Sequence, residues 1–170
     1  MNFIDKIDPV FFACAVLCSA TVFTLTWFLD ALTHARLVKV DITEKELHTH
    51  RVLILTSGLM ELSLVLMFWL DIAILPLFLA AFLTRTAHEF IDELHWHTGR
   101  CSFYETLLHL IMWISVLNKT FLLFIWGFFT HYKGLPELHP LFYAWAALII
   151  LLMAMISWKE WNQKAIKKQD

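Results

Sequence analysis

The chain has 170 residues, 59% of them hydrophobic, with 4 Gly, 4 Pro and a mean hydropathy of +0.66; soluble domains average roughly 45–50% apolar residues, so lipid is the expected solvent for most of it. A formal net charge of −2 argues for neither nucleic acid nor an acidic partner. The 3 Cys include no C-x-x-C, and Cys14, Cys18 and Cys101 read as two small hydrophobes and a spare thiol rather than a redox pair.

Asp5 and Asp8 stand where a signal peptide needs basic residues, so the first apolar run is expected to remain in the mature protein. Asp8-Pro9 is an N-cap and first-turn pair opening span 1, residues 9–33, long enough to cross ~30 Å of hydrocarbon. Residues 34–50 turn polar and basic, which predicts an interfacial link, helical from Thr43, with Glu46 completing a capping-box pattern. Span 2 covers residues 51–70. A tight connection follows over 71–75, and Pro76 starts span 3, residues 76–97, which Thr98-Gly99 end. Span 4, residues 103–130, has Ser102 as N-cap and Glu105 three positions on. After a short loop containing Gly134 and Pro136, Pro140 opens span 5, residues 140–158, and a basic tail closes the chain. No repeat or low-complexity segment interrupts this order, so the expected fold is an all-α integral membrane protein of one domain, residues 1–170: a bundle of five transmembrane helices.

With five spans, ten of the 13 basic residues fall on one side: Arg36, Lys39, Lys45, Arg51, Arg85, Arg100, Lys159, Lys164, Lys167 and Lys168. The positive-inside rule then places the N-terminus outside and the C-terminus in the cytoplasm, as in a multi-pass protein of a bacterial inner (plasma) membrane. Seven of the nine histidines fall in the cytoplasmic half: His34, His48, His50, His88, His95, His97 and His109.

The chemistry concentrates at residues 88–97 with Glu105 and His109, which together hold eight potential ligands or proton carriers. On a regular α-helix His88, Asp92 and His95 share one face, while Glu89, Glu93 and His97 make a second stripe that is expected to be solvated or to support the ligands from behind. Spans 1 to 4 bring Asp30, His34, His50 and Glu61 to join them. Ionisable groups in hydrocarbon cost ~2.5–3.5 kcal/mol each on insertion scales, so a gathering of them calls for a cation or for mutual pairing. The expected metal ligands are Asp30, His34, His50, Glu61, His88, Asp92, His95, Glu105 and His109. Glu61 has an equal alternative in an ion pair with Lys119, also near mid-membrane. Asp30 has the further options of capping or pairing with Arg36. His131 and His139 read as loop residues, and the Trp and Tyr near span ends as an aromatic belt.

Carboxylate and imidazole donors suit iron, manganese or zinc, and helices that point Asp/Glu-x-x-His pairs inward are how di-iron bundles are built; Asp92-x-x-His95 has that spacing. In gathering histidines at the cytoplasmic side of a helical bundle the chain resembles the integral-membrane desaturases and hydroxylases. It lacks their H-x-x-H-H pattern, carries more carboxylate, and is not assigned to them. The leading expectation is a membrane metalloenzyme with two irons, a non-haem oxidoreductase acting on a lipid or other apolar substrate, its electrons supplied by a partner protein or quinone. A zinc hydrolase is the variant, with Glu93 or Glu105 as general base. A haem b electron carrier ligated by His88 and His109, a metal or proton transporter, and a non-catalytic membrane subunit remain the other readings.

Overall fold

The computed structural model describes residues 7–164, and for residues 34–41 within them the backbone alone. The described chain is helical throughout its elements: α1 (Pro9–Asp41), α2 (Glu44–Leu70), α3 (Leu75–Ile91), α4 (Phe103–Thr130) and α5 (Pro140–Trp161). The starts of α1, α2, α4 and α5 are set by side chains that satisfy free N–H groups of the first turn. Asp8 accepts from Val10 N at 2.8 Å, Thr43 accepts from Glu46 N, and Ser102 and Glu105 form a reciprocal capping box. Proline stands in the first turn of α1, α3 and α5, where its missing N–H costs nothing.

Four stretches are long and apolar enough to cross a membrane: Pro9–Thr33, Glu44–His97, Phe103–Thr130 and Pro140–Trp161. This makes the chain a multi-pass membrane protein by its composition and helix lengths. The second stretch is a hairpin in which α2 and α3 fold back on each other at a 3₁₀ turn, Asp71–Ile74. Asp71 takes φ 51° to make that reversal, an uncommon conformation for a residue with a Cβ.

Two features depart from the sequence reading. The polar stretch after Thr33 does not end the first helix, which continues to Asp41 before Ile42 turns extended. No Gly or Pro lies between Pro9 and Gly58, so the loss of apolarity marks an expected membrane boundary without breaking the backbone pattern. At the other end of the hairpin, α3 gives way to a π-helical segment, Asp92–His97.

α1 and α4 run antiparallel along their length. Phe12 stacks on Trp126 with ring centroids 5.6 Å apart, Asn118 donates to Ser19 at 2.7 Å, and His109 meets Asp30 at 3.1 Å. The arms of the α2–α3 hairpin are tied by Arg85 to Ser57 and by Trp96 to Thr49. α4 joins the hairpin through Lys119 and Glu61, 2.6 Å apart, and α5 lies along α1 in the same direction through Trp145 to Thr21 and Trp27 to Glu160. The apolar core, with Phe12, Met60, Leu64, Met67, Phe78 and Trp126, fills the end at which Tyr132 packs. There the Tyr132 ring lies against Gly127, where a Cβ would meet it at 2.7 Å. The opposite end of the bundle holds the polar cluster.

Candidate metal centre

Three helix ends build this cluster. The Thr43 cap fixes the first turn of α2, placing Glu46 and then His50 one turn apart. The Ser102 cap does the same for α4: Glu105 is held at the third position, its Oε2 accepting from Ser102 N at 2.7 Å, and His109 follows one turn on. Between them the π segment carries Asp92, Glu93 and His97.

The π winding decides which side chains enter. An α-helix continued from His88 aligns 88, 92 and 95, but i to i+5 winding adds a residue to the turn and brings position 97 round beside 92 and 93. Thr98 Oγ1 donates to Glu93 O, five residues back, within this widened turn. His97 is therefore 6% exposed and central, where the sequence reading had it solvated, and Asp92 and Glu93 both face it.

The result is a row of alternating imidazoles and carboxylates drawn from four helices. His50 Nε2 lies 3.1 Å from Asp92 Oδ1, and Asp92 Oδ2 lies 3.7 Å from His97 Nδ1. That nitrogen is 3.8 Å from Glu93 Oε1, which is 2.7 Å from His109 Nδ1, and His109 Nε2 is 3.1 Å from Asp30 Oδ1. At the His50 side Glu46, 1% exposed, takes an ion pair from Arg100 at 3.1 Å. Two sets of donors within the row are close enough for an ion: Glu46, His50 and His97, and Glu93, His97 and His109, the ligand atoms of each set lying within 4.8 Å of one another. Donors around a single ion at ~2.0–2.2 Å are at most ~4.4 Å apart, so a small side-chain adjustment closes either set. His97 belongs to both sets.

Two further features bear on the acidic side of the site. Glu105 is 3% exposed, and its Oε1 is buried with no hydrogen-bond partner, a costly position for a carboxylate oxygen lacking a cation or donor. In the adjoining loop, the Cys101 thiol is pushed up to about 12, first by burial and then by the negative charge of Glu105, Glu93, Asp30 and Asp92.

Of the ligands expected from sequence, Asp30, His50, Asp92, Glu105 and His109 are brought to this end of the bundle and buried or nearly so. His88 and His95 are not in the row. His88 Nδ1 bonds to Thr84 O at 2.9 Å, and His95 is exposed with its ring edge-on to Trp96; the π winding, which begins only at Asp92, turns His95 away from the row while Asp92 stays in it. Glu61 lies farther along α2 in its ion pair with Lys119, outside both donor sets, and the side chain of His34 lies outside the described residues. Of the residues in the two donor sets, Glu46, Glu93 and His97 are not among the ligands expected from sequence, where Glu93 is read as a general base. A repeated spacing points to them: Asp30 and His34, Glu46 and His50, Glu93 and His97, and Glu105 and His109 are each an acid followed four residues later by histidine, as are Glu44 and His48, which lie outside both sets. Compared with protein-family models, curated proteins and solved structures, the chain matches none.

Proposed function

We propose that the protein is a membrane-embedded metalloenzyme, a non-haem di-iron oxidoreductase that acts on a lipid or other apolar substrate near the cytoplasmic face. The observation that carries this reading is the pair of donor sets sharing His97 at one end of a membrane bundle. Imidazole and carboxylate donors without thiolate suit iron, and two adjacent sets suit two ions. Iron bound there supplies the redox chemistry. The chain's own residues hold and orient it: Asp30 fixes the ring of His109 and Asp92 that of His50, each through the nitrogen it faces. Glu93 is the most open carboxylate of the row, with 35% of its side chain exposed, and Phe90 and Leu94 on the same stretch are exposed at 52% and 71%. This supports substrate approach from the lipid side, with Glu105, which lies outside both donor sets, available to take up or release a proton.

In this reading the hairpin arms both cross the bilayer, giving five crossings, and the basic tail faces the cytoplasm of a bacterial cell, where a protein donor or quinone delivers electrons. Reporter fusions after residues 42, 100 and 164 are expected to report cytoplasmic locations, and fusions in the 71–74 and 131–139 turns the other side.

The deciding experiment is metal analysis and an optical spectrum of the detergent-purified protein, with His97→Ala and His95→Ala as variants. About two irons per chain without a Soret band, lost in His97→Ala and retained in His95→Ala, is the expected result. One zinc per chain would move the assignment to a hydrolase. A Soret band, or no metal after loading, would overturn it.

A further inference from the structure

Glu46 is held in a way that the other acidic residues of the row are not. Its side chain is 2% exposed, yet the cation that balances it, Arg100, keeps 40% of its own side chain exposed. The guanidinium reaches in from the 98–102 loop, donating through Nη1 to Glu46 Oε2 at 3.1 Å and to Trp96 O at 3.1 Å. The same loop leaves directly from His97. Arg100 N and Cys101 N both donate to His97 O, and Gly99 takes φ 77° in the intervening turn.

We propose that Arg100 and a divalent metal ion compete for Glu46, so that the 98–102 loop is the gate through which metal enters the centre from the aqueous face. This rests on the reading of Glu46, His50 and His97 as ligands. A carboxylate buried this deeply needs a counter-charge at all times, because an unbalanced charge there is strongly destabilising. A guanidinium and a metal ion on one carboxylate repel each other, so occupancy by one weakens the other. The exchange leaves no charge stranded: the metal takes over Glu46, and Arg100, already half in water, swings outward without being desolvated. The loop then reports the state of the centre, since the bond after Arg100 is open to protease when the arginine is released and shielded while it is docked.

The test uses the full-length protein in lipid nanodiscs with Co²⁺ as probe, its binding followed by absorbance and tryptic cleavage of the Arg100–Cys101 bond by mass spectrometry. Saturating Co²⁺ is expected to speed cleavage at that bond in the wild type. Glu46→Gln, which removes the Glu46 ion pair without metal, is expected to be cleaved faster than the metal-free wild type and to bind Co²⁺ weakly. Arg100→Gln is expected to bind Co²⁺ roughly tenfold or more tighter than wild type, the scale of one charge-assisted hydrogen bond removed from the competing state. Cobalt that binds without changing cleavage at Arg100, or an Arg100→Gln affinity equal to or below that of wild type, would overturn the gate while leaving the metal centre standing. No Co²⁺ binding by wild type or by Arg100→Gln would overturn both.

Discussion

Lys119 is a full-length charged side chain 4% exposed in the middle of an apolar helix, and Glu61 across from it is the reason it is tolerated. Neutralising one partner leaves the other charged in hydrocarbon. Lys119→Met alone is expected to lower stability by about 3 kcal/mol, and Glu61→Gln with Lys119→Met to recover most of it, as unfolding measured by pulse proteolysis in detergent can show. Counting residues along spans 2 and 4 already places these two at one depth, so the pairing was legible as an alternative, although only packing decides that α2 and α4 face each other there. Cys101 makes a separate prediction. Burial and the neighbouring carboxylates both disfavour the thiolate, so its pKa rises from 9.0 to about 12 and its reactivity climbs only as pH approaches that value. In a Cys14→Ser, Cys18→Ser background, iodoacetamide at pH 8 should modify Cys101 roughly a thousandfold more slowly than an unperturbed thiol, and the rate should still be increasing at pH 10.

Among the elements, starts were easier to read than windings. Asp8, Thr43 and Ser102 announce three helix starts because a capping side chain is a local device, complete within three or four residues, whereas at α5 the sequence shows Pro140 and the structure adds the His139 cap. The π segment has no such local mark. Nothing in Asp92-Glu93-Leu94-His95-Trp96-His97 forbids an α-helix, and the wider turn is favoured only by what it buries: Asp92 on His50, His97 beside His109, and the Trp96 indole on Thr49. For this reason the sequence reading favours His88 and His95, whereas in the structure it is His97 that lies in the row. Deleting Leu94, which is 71% exposed, removes the extra residue and should restore α winding, turning His97 by about 100° relative to α3. Helical content by circular dichroism should be unchanged while metal binding is lost; retained binding would mean that the winding does not set the ligand face.

On the scale of the molecule, the row draws its side chains from α1 to α4 and the connecting segments among them, and α5 is the least embedded of the membrane-length helices, with 11% of its apolar window buried. It is fastened at its end by Arg51, which donates to Trp161 O and Gln163 O, and by Trp27 on Glu160. A chain ending at residue 138 is therefore expected to retain metal in detergent with reduced thermal stability, as metal analysis and a melting curve would show. The membrane class was readable from composition, because apolar length is a sum over residues. The shared centre was less so, since it depends on which of several faces meet.

The two donor sets differ in where their parts come from. Glu46, His50 and His97 all lie in the α2–α3 hairpin and its π extension, whereas the second set cannot close without His109 from α4. During synthesis the hairpin emerges and inserts first, with the whole of one ligand set already in it, and the other set waits for the next helix to arrive. Under the proposed metal reading, chain connectivity therefore sets an order of maturation: one set would capture its ion on a nascent membrane hairpin, and that ion, by fixing His97, would prepare the surface on which α4 docks.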